Sequence, residues 1–414
     1  MLELKSKNLW VSLSIFNLLL LAILGFILRS KMLFEMPYLD YNHVADAHGH
    51  FAFGGWATLA LCTLFVYELL PQEKARKRIY QYLLGCLCIF SWILIFTFAL
   101  SGNSMFSNMF STLFIFTTYT FTFVFSRDIL RSEANFTVKL LSISSLVSLT
   151  LSSIGPFMLA ILFSIQSLNA ILYRDALFTY LHLQYNGFFT LAVFALLFYK
   201  MLPKVNEKSQ KLIGQFAILL SLSVIPSLFL SYLWHDPQLL FKIVATAGSM
   251  LVFATFIWFV LFAAQVRKTF NSLPLLIKYL GTLSMLAFGI KEFLQGFTIF
   301  QSIGDAVFGS RPTIIGFLHL VFLGFTSLFI LTWYLNHGKL AIQSYFTRFA
   351  LILFSIGILL NEAILMVQGL GSMFVLSYSL FPKMLWYVSI ILVGGAFLIL
   401  LSRWSLKHKQ NIIS

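Results

Sequence analysis

Residues 9–29 read LWVSLSIFNLLLLAILGFILR. An apolar run of about 20 residues is long enough to cross a bilayer core as a helix. Eleven more stretches of this kind follow, roughly at 49–71, 78–101, 104–126, 138–167, 177–201, 212–234, 239–264, 274–300, 312–335, 346–369 and 380–402. The chain of 414 residues is 59% hydrophobic and 10% charged, and its connections are too short for a soluble domain. A membrane β-barrel would instead show segments of alternating polarity. The expected fold is an all-α polytopic membrane protein of about twelve transmembrane helices, with residues 1–414 as one transmembrane domain.

The net charge of +14 raises the question of nucleic acid, but its placement answers differently. With the N-terminus inside, the outer side holds Arg29, Lys31, Arg174, Lys242, Arg311 and Lys383, and Lys291 lies within a span. All other Lys and Arg residues fall on the inner side. This positive-inside bias predicts cytoplasmic termini in a bacterial-type inner membrane, with the basic excess facing anionic lipid and no nucleic acid. Lys5 and Lys7 precede the first run, but no small-residue cleavage site follows, so an uncleaved span is expected. Cys62, Cys86 and Cys88 lie within spans and read as packing residues.

Three stretches align on their histidines: H50-FAFGGWATL-59, H182-LQYNGFFTL-191 and H319-LVFLGFTSL-328. All fit H-x-x-[FY]-x-G-[WF]-x-[TS]-L, near the starts of spans 2, 6 and 10. Each of those spans runs from outside to inside. Three pseudo-repeats of four spans are therefore expected, at about 1–135, 136–270 and 271–414, around an axis along the membrane normal. Against this, helices rich in Phe, Leu and Gly resemble one another by composition. The Gly also suits close packing, and the Ser or Thr can bond back to its own backbone.

Histidine is costly in hydrocarbon, and neutral imidazole is a common ligand of haem iron and copper. Span 2 carries two such residues, His48 and His50. Other polar residues share the outer half: His235 at the end of span 7, Lys291 and Glu292 in span 9, Asn361 and Glu362 in span 11. Lys291, Glu292 and Glu362 suit a proton path or a buried ion pair. Arg174 and Arg311 suit haem propionates, or simple anchoring at the membrane surface. His43 lies in the first outer loop, and His337 and His408 read as surface residues.

Twelve spans with histidines near the outer ends of spans 2, 6 and 10 resemble the catalytic subunit of the haem–copper oxidases and nitric oxide reductases. The resemblance covers the chain in topology and is confined in sequence to the three histidine segments. It implies a low-spin haem between His50 (or His48) and His319, and a copper or non-haem iron site using His182 and His235. The segment H182-LQYNG-187 is similar to the reductase pattern H-L-x-x-E-G, with Asn186 in place of a glutamate ligand. Three departures stand out. Phe317 replaces the first histidine of the family's span-10 H-x-H, and the H-x-H here is on span 2. Span 7 offers one histidine where the family has two. Tyr185 sits one place short of the oxidase tyrosine.

The resemblance implies one or two haems and reduction of O2 or NO. Electrons would come from quinol or a separate cytochrome, since the chain carries no C-x-x-C-H haem-attachment motif. Accessory subunits are implied as well. The chain also resembles, loosely, NnrS-like haem–copper membrane proteins, which implies a non-turnover haem protein or gas sensor. A proton-coupled transporter is the alternative that needs no haem.

Overall fold

The computed structural model describes the backbone of residues 2–373 and 380–413, and the side chains of 6–267, 269–369, 371 and 380–405. The sequence readings of Lys5, Lys268, Lys407, His408 and Lys409 fall outside the described side chains. No strand occurs among the described residues. The long helices are α1 (Ser6–Lys31), α2 (Tyr41–Leu69), α3 (Arg78–Ser101), α4 (Met105–Leu130), α5 (Phe136–Ser164), α6 (Ala170–Lys204), α7 (Glu207–His235) and α8 (Leu239–Val266). They continue with α9 (Leu275–Phe297), α10 (Arg311–Asn336), α11 (Tyr345–Gly369) and α12 (Leu380–Ser405). Eleven of these meet the length and apolarity needed to cross a membrane. The twelfth, α9, does so together with the short helix Gln301–Gly309, from which it is bent by 117°.

The three helices bearing the histidine motif are the three most buried: α2, α6 and α10 form the centre of the bundle. Each starts with a side-chain cap: Asp40 accepts from the Asn42 and His43 amides, Asn169 from Leu172, and Ser310 from Thr313. Each then widens into a π-helical turn just after its histidine, at Ala52–Thr58, Leu183–Phe189 and Leu320–Ser327. A π turn leaves carbonyls short of their usual donors. Local hydroxyls supply them: Thr190 donates to Tyr185 O at 2.6 Å and Thr326 to Val321 O at 3.0 Å. In α2 the Gly55 carbonyl takes Asn17 of α1 instead, at 2.6 Å. The three π turns meet on the axis, where the rings of Phe53, Phe189 and Phe322 sit 5.5–5.7 Å apart. Trp56 ties α2 to α10 through Ser327 at 2.8 Å.

Glycines set the closest approaches between neighbours. A Cβ at Gly187 would lie 2.4 Å from Ser148 Cβ on α5, and one at Gly248 would lie 2.4 Å from the Pro226 carbonyl oxygen on α7. The second clash is with backbone, which cannot rotate away. Gly248→Ala therefore separates α7 from α8 and costs about 1–3 kcal/mol, measured as the loss of thermal stability of the purified protein. A variant as stable as the parent would mean that the two helices can part freely.

The face where α1 begins and α12 ends is held by buried charge. Arg403 is 1% exposed and donates to Ser12 Oγ, Lys339 O and Asn8. Lys7 and Lys200 flank Glu68 at 2.7 and 3.6 Å. His337, read from sequence as a surface residue, instead stacks on Trp333 at 4.3 Å and is half-buried. In the loop between α10 and α11, burial and then the charges of Lys7 and Arg403 lower the Lys339 ammonium to about 8, against Glu68. Between there and the ordinary lysine value of 10.5 the folded protein has shed a proton that the unfolded chain still binds. Stability therefore rises with pH across that window. Lys339→Met should remove this rise from the thermal melting profile, and equal slopes in the two proteins would refute the assignment.

Candidate functional site

The motif histidines occupy three different environments. His50 stacks on Phe98 of α3, centroids 4.2 Å apart. It lines a small cavity of about 50 Å³ with residues of α4, α5 and α6. His48, two residues earlier, turns the other way. Its ring lies against Gly25 of α1, where a Cβ would come within 3.3 Å of Cε1, and interacts with the Leu21 backbone. Its Nδ1 is buried without a hydrogen-bond partner.

His319 lies within electrostatic range of His48, and Arg29 of α1 is within range of both. The His319 Nδ1–H donates to Ile315 O, one turn back, at 2.8 Å. A carbonyl only accepts, so this bond fixes the tautomer and leaves the Nε2 lone pair open. Arg311 reaches over the Tyr41 ring at 5.8 Å, and Tyr41 is also within electrostatic range of Arg29. The structure thus gathers His48, His319, Arg29 and Arg311 at the end of the bundle where α1 finishes and α2 and α10 begin. Arg29 was counted in the sequence only as an outer charge. Its signal was there: it is the one charge within the apolar run 9–29.

His182 is 1% exposed and fully engaged. Its Nε2–H donates to the Val224 carbonyl at 2.8 Å, beside Pro226 of α7. Its Nδ1 must then accept, and the Asn186 amide nitrogen donates to it at 3.0 Å. Around the same narrow void lie Lys291, Glu292 and Gln295 of α9. Lys291 Nζ meets Glu292 Oε1 at 2.5 Å. Asn186 Oδ1, Glu292 Oε2 and Gln295 Oε1 are buried there without partners. Lys291 and Glu292 are thus brought to His182, whereas Glu362 is placed elsewhere. It lines a cavity of about 670 Å³ between α9, α10 and α11, shared with Gln295 and Phe317. Asn361 donates to Glu362 Oε1 at 3.1 Å.

His235 is the last residue of α7 and pairs with Asp175 at 3.0 Å. Trp234 donates to the other oxygen of that carboxylate. Arg174 packs over Trp234 at 4.2 Å and donates to the Phe308 carbonyl. Arg174 therefore joins α6 to the short helix Gln301–Gly309, away from the His48–His319 pair. His235 and His182 bond different partners and do not converge. Among the described residues, no group of three or more His, Cys, Asp or Glu is arranged to hold a metal ion.

Two cofactors can be tested against these donor sets. A haem needs two axial nitrogens and counter-charges for its carboxylates. His48 offers an orphaned buried Nδ1, His319 offers an open Nε2, and Arg29 and Arg311 offer the charges; this set fits. Copper or non-haem iron in the resemblance needs three ligands around His182. Both nitrogens of His182 are spent and His235 is tied to Asp175, so this set does not fit. No family model matches the chain, and no curated protein matches it.

Proposed function

We propose that the protein is a haem-binding membrane protein in which His48 and His319 would hold the haem, serving electron transfer within the bilayer. One observation carries the reading: two histidines on adjacent central helices each keep a nitrogen unspent within electrostatic range of one another. His319 is oriented by its bond to Ile315, the arrangement by which proteins present Nε2 to a metal. Gly25 leaves room for the His48 ring against α1. Arg29 and Arg311 hold the carboxylates, as guanidinium matches carboxylate bidentately. A bound haem supplies one-electron chemistry at this place.

The wider reading extends the same inference. The three π turns after equivalent histidines support three pseudo-repeats of four helices. The positive-inside bias supports cytoplasmic termini in a bacterial inner membrane, with electrons supplied by quinol or a separate cytochrome. No step is assigned to a second metal, because its donor set is not assembled.

The test is a reduced-minus-oxidised absorption spectrum and a pyridine haemochrome count on protein from a haem-replete host. A six-coordinate haem that does not bind carbon monoxide is the expected result. Protein free of haem would overturn the reading and favour a proton-coupled transporter.

A further inference from the structure

A cavity of about 670 Å³ lies beside α10, lined by Phe317, Leu318 and Leu320 next to His319 but not by His319 itself. It fills the cleft over α10 between α9, which packs on α8 and α10, and α11, which packs on α10 and α12. Toward the inner side α9 and α11 meet where Ser355 bonds Tyr279. Toward the outer side the short helix Gln301–Gly309 covers the cleft with Ile303, Val307 and Phe308. Between these closures the rim residues Phe293 and Leu294 of α9 and Leu359 and Met366 of α11 are 44–67% exposed. The cavity therefore opens sideways into the lipid, and its occupant arrives from the bilayer.

Its chemistry narrows the occupant. About 670 Å³ is the size of a small-molecule site. The walls carry Phe178, Tyr185, Phe293, Phe297, Phe308 and Phe317, rings suited to stacking on a flat molecule. Of the polar lining, Thr298 donates to Gln295 O and Thr313 to Ser310 Oγ, while Tyr185, Ser231 and Glu362 also line the cavity. Glu362 on α11 uses one oxygen for Asn361. A carboxylate-bearing guest would meet Glu362 unfavourably, whereas a hydroxyl can donate to it.

We infer that this cavity binds a neutral, flat, ring-bearing molecule that enters from the lipid between α9 and α11. Its hydroxyl head donates to the Glu362 carboxylate. This site does not depend on the haem reading.

The test is calorimetric titration of the full chain in nanodiscs with 1-naphthol as the probe, and with palmitate as the anionic comparator. The naphthol binds at least about tenfold tighter than palmitate, and Glu362→Leu weakens it by about tenfold, the worth of one hydrogen bond in an apolar site. Glu362→Gln stays within about twofold, since the amide oxygen can still accept from the hydroxyl. Leu359→Trp blocks the mouth and abolishes binding. Palmitate binding as tightly, or naphthol binding unchanged by Leu359→Trp, overturns the inference. Thermal melting of the same samples reports that the variants have folded. Loss of haem from folded Leu359→Trp protein would assign the cavity to haem and overturn the inference also.

Discussion

Lys291→Met lowers the stability of the protein by about 3–5 kcal/mol, the usual cost of leaving one charge of a buried pair alone. Lys291 and Glu292 are 2% and 1% exposed and sit 2.5 Å apart. Consecutive helical residues leave the axis about 100° apart, so the pair closes only because the Lys291 stem folds back past the Phe288 ring, 5.7 Å from Nζ. Glu292 already has one oxygen without a partner. Removing the ammonium leaves the whole carboxylate uncompensated in a low-dielectric site. The double variant Lys291→Met, Glu292→Leu should recover most of the loss, because a well-packed apolar pair is often as good as a buried ion pair. Thermal melting in detergent measures both. A single variant as stable as the parent would show that Glu292 finds another cation or takes up a proton without strain.

His319→Ala and His48→Ala each lower haem content by more than about tenfold. Loss of an outer-shell partner alone costs 10–100-fold in metal affinity, and loss of a ligand exceeds it. His50→Ala leaves haem in place, because its ring stacks on Phe98 and faces the small cavity beside α4 and α5. Gly25→Val should weaken haem retention without removing a ligand, since its branched side chain displaces the His48 ring. Haemochrome counts on the four variants separate the readings. Loss of haem in His50→Ala with retention in His48→Ala would reverse the ligand assignment.

The histidine pair shows how far sequence reading reaches. His319 and the pair on α2 were visible as candidates, because a histidine in an apolar span is conspicuous. Choosing between His48 and His50 was not. Residues two apart on a helix point about 200° apart, so one faces α1 and α10 and the other faces α3. Only the placement of neighbouring helices tells which direction holds the second histidine. Arg29 stood out as the one charge in the run 9–29, but its partners did not, because it joins the site from a helix with no histidine. Lys291, Glu292 and Glu362 looked like one polar set at one depth. The bundle separates them, placing the first two beside His182 and the third on a different cavity wall.

The sequence by itself determined the number and rough placement of the long apolar helices, because hydropathy and span length follow from transferring each segment into lipid; α2 and α6 begin at Tyr41 and Ala170, ahead of the expected 49 and 177. It also located the three histidine segments that lie on the most buried helices. Tertiary structure alone decided what each histidine does. His182 spends its Nε2–H on Val224 and its Nδ1 lone pair on Asn186, the lone pair of His319 is left open by Ile315, and that of His48 is left unpartnered beside Gly25. The physical reason is that a ligand needs a free lone pair in a particular direction. That direction is set by rotation about each helix axis and by the hydrogen bonds made across helices, neither of which hydrophobic periodicity encodes.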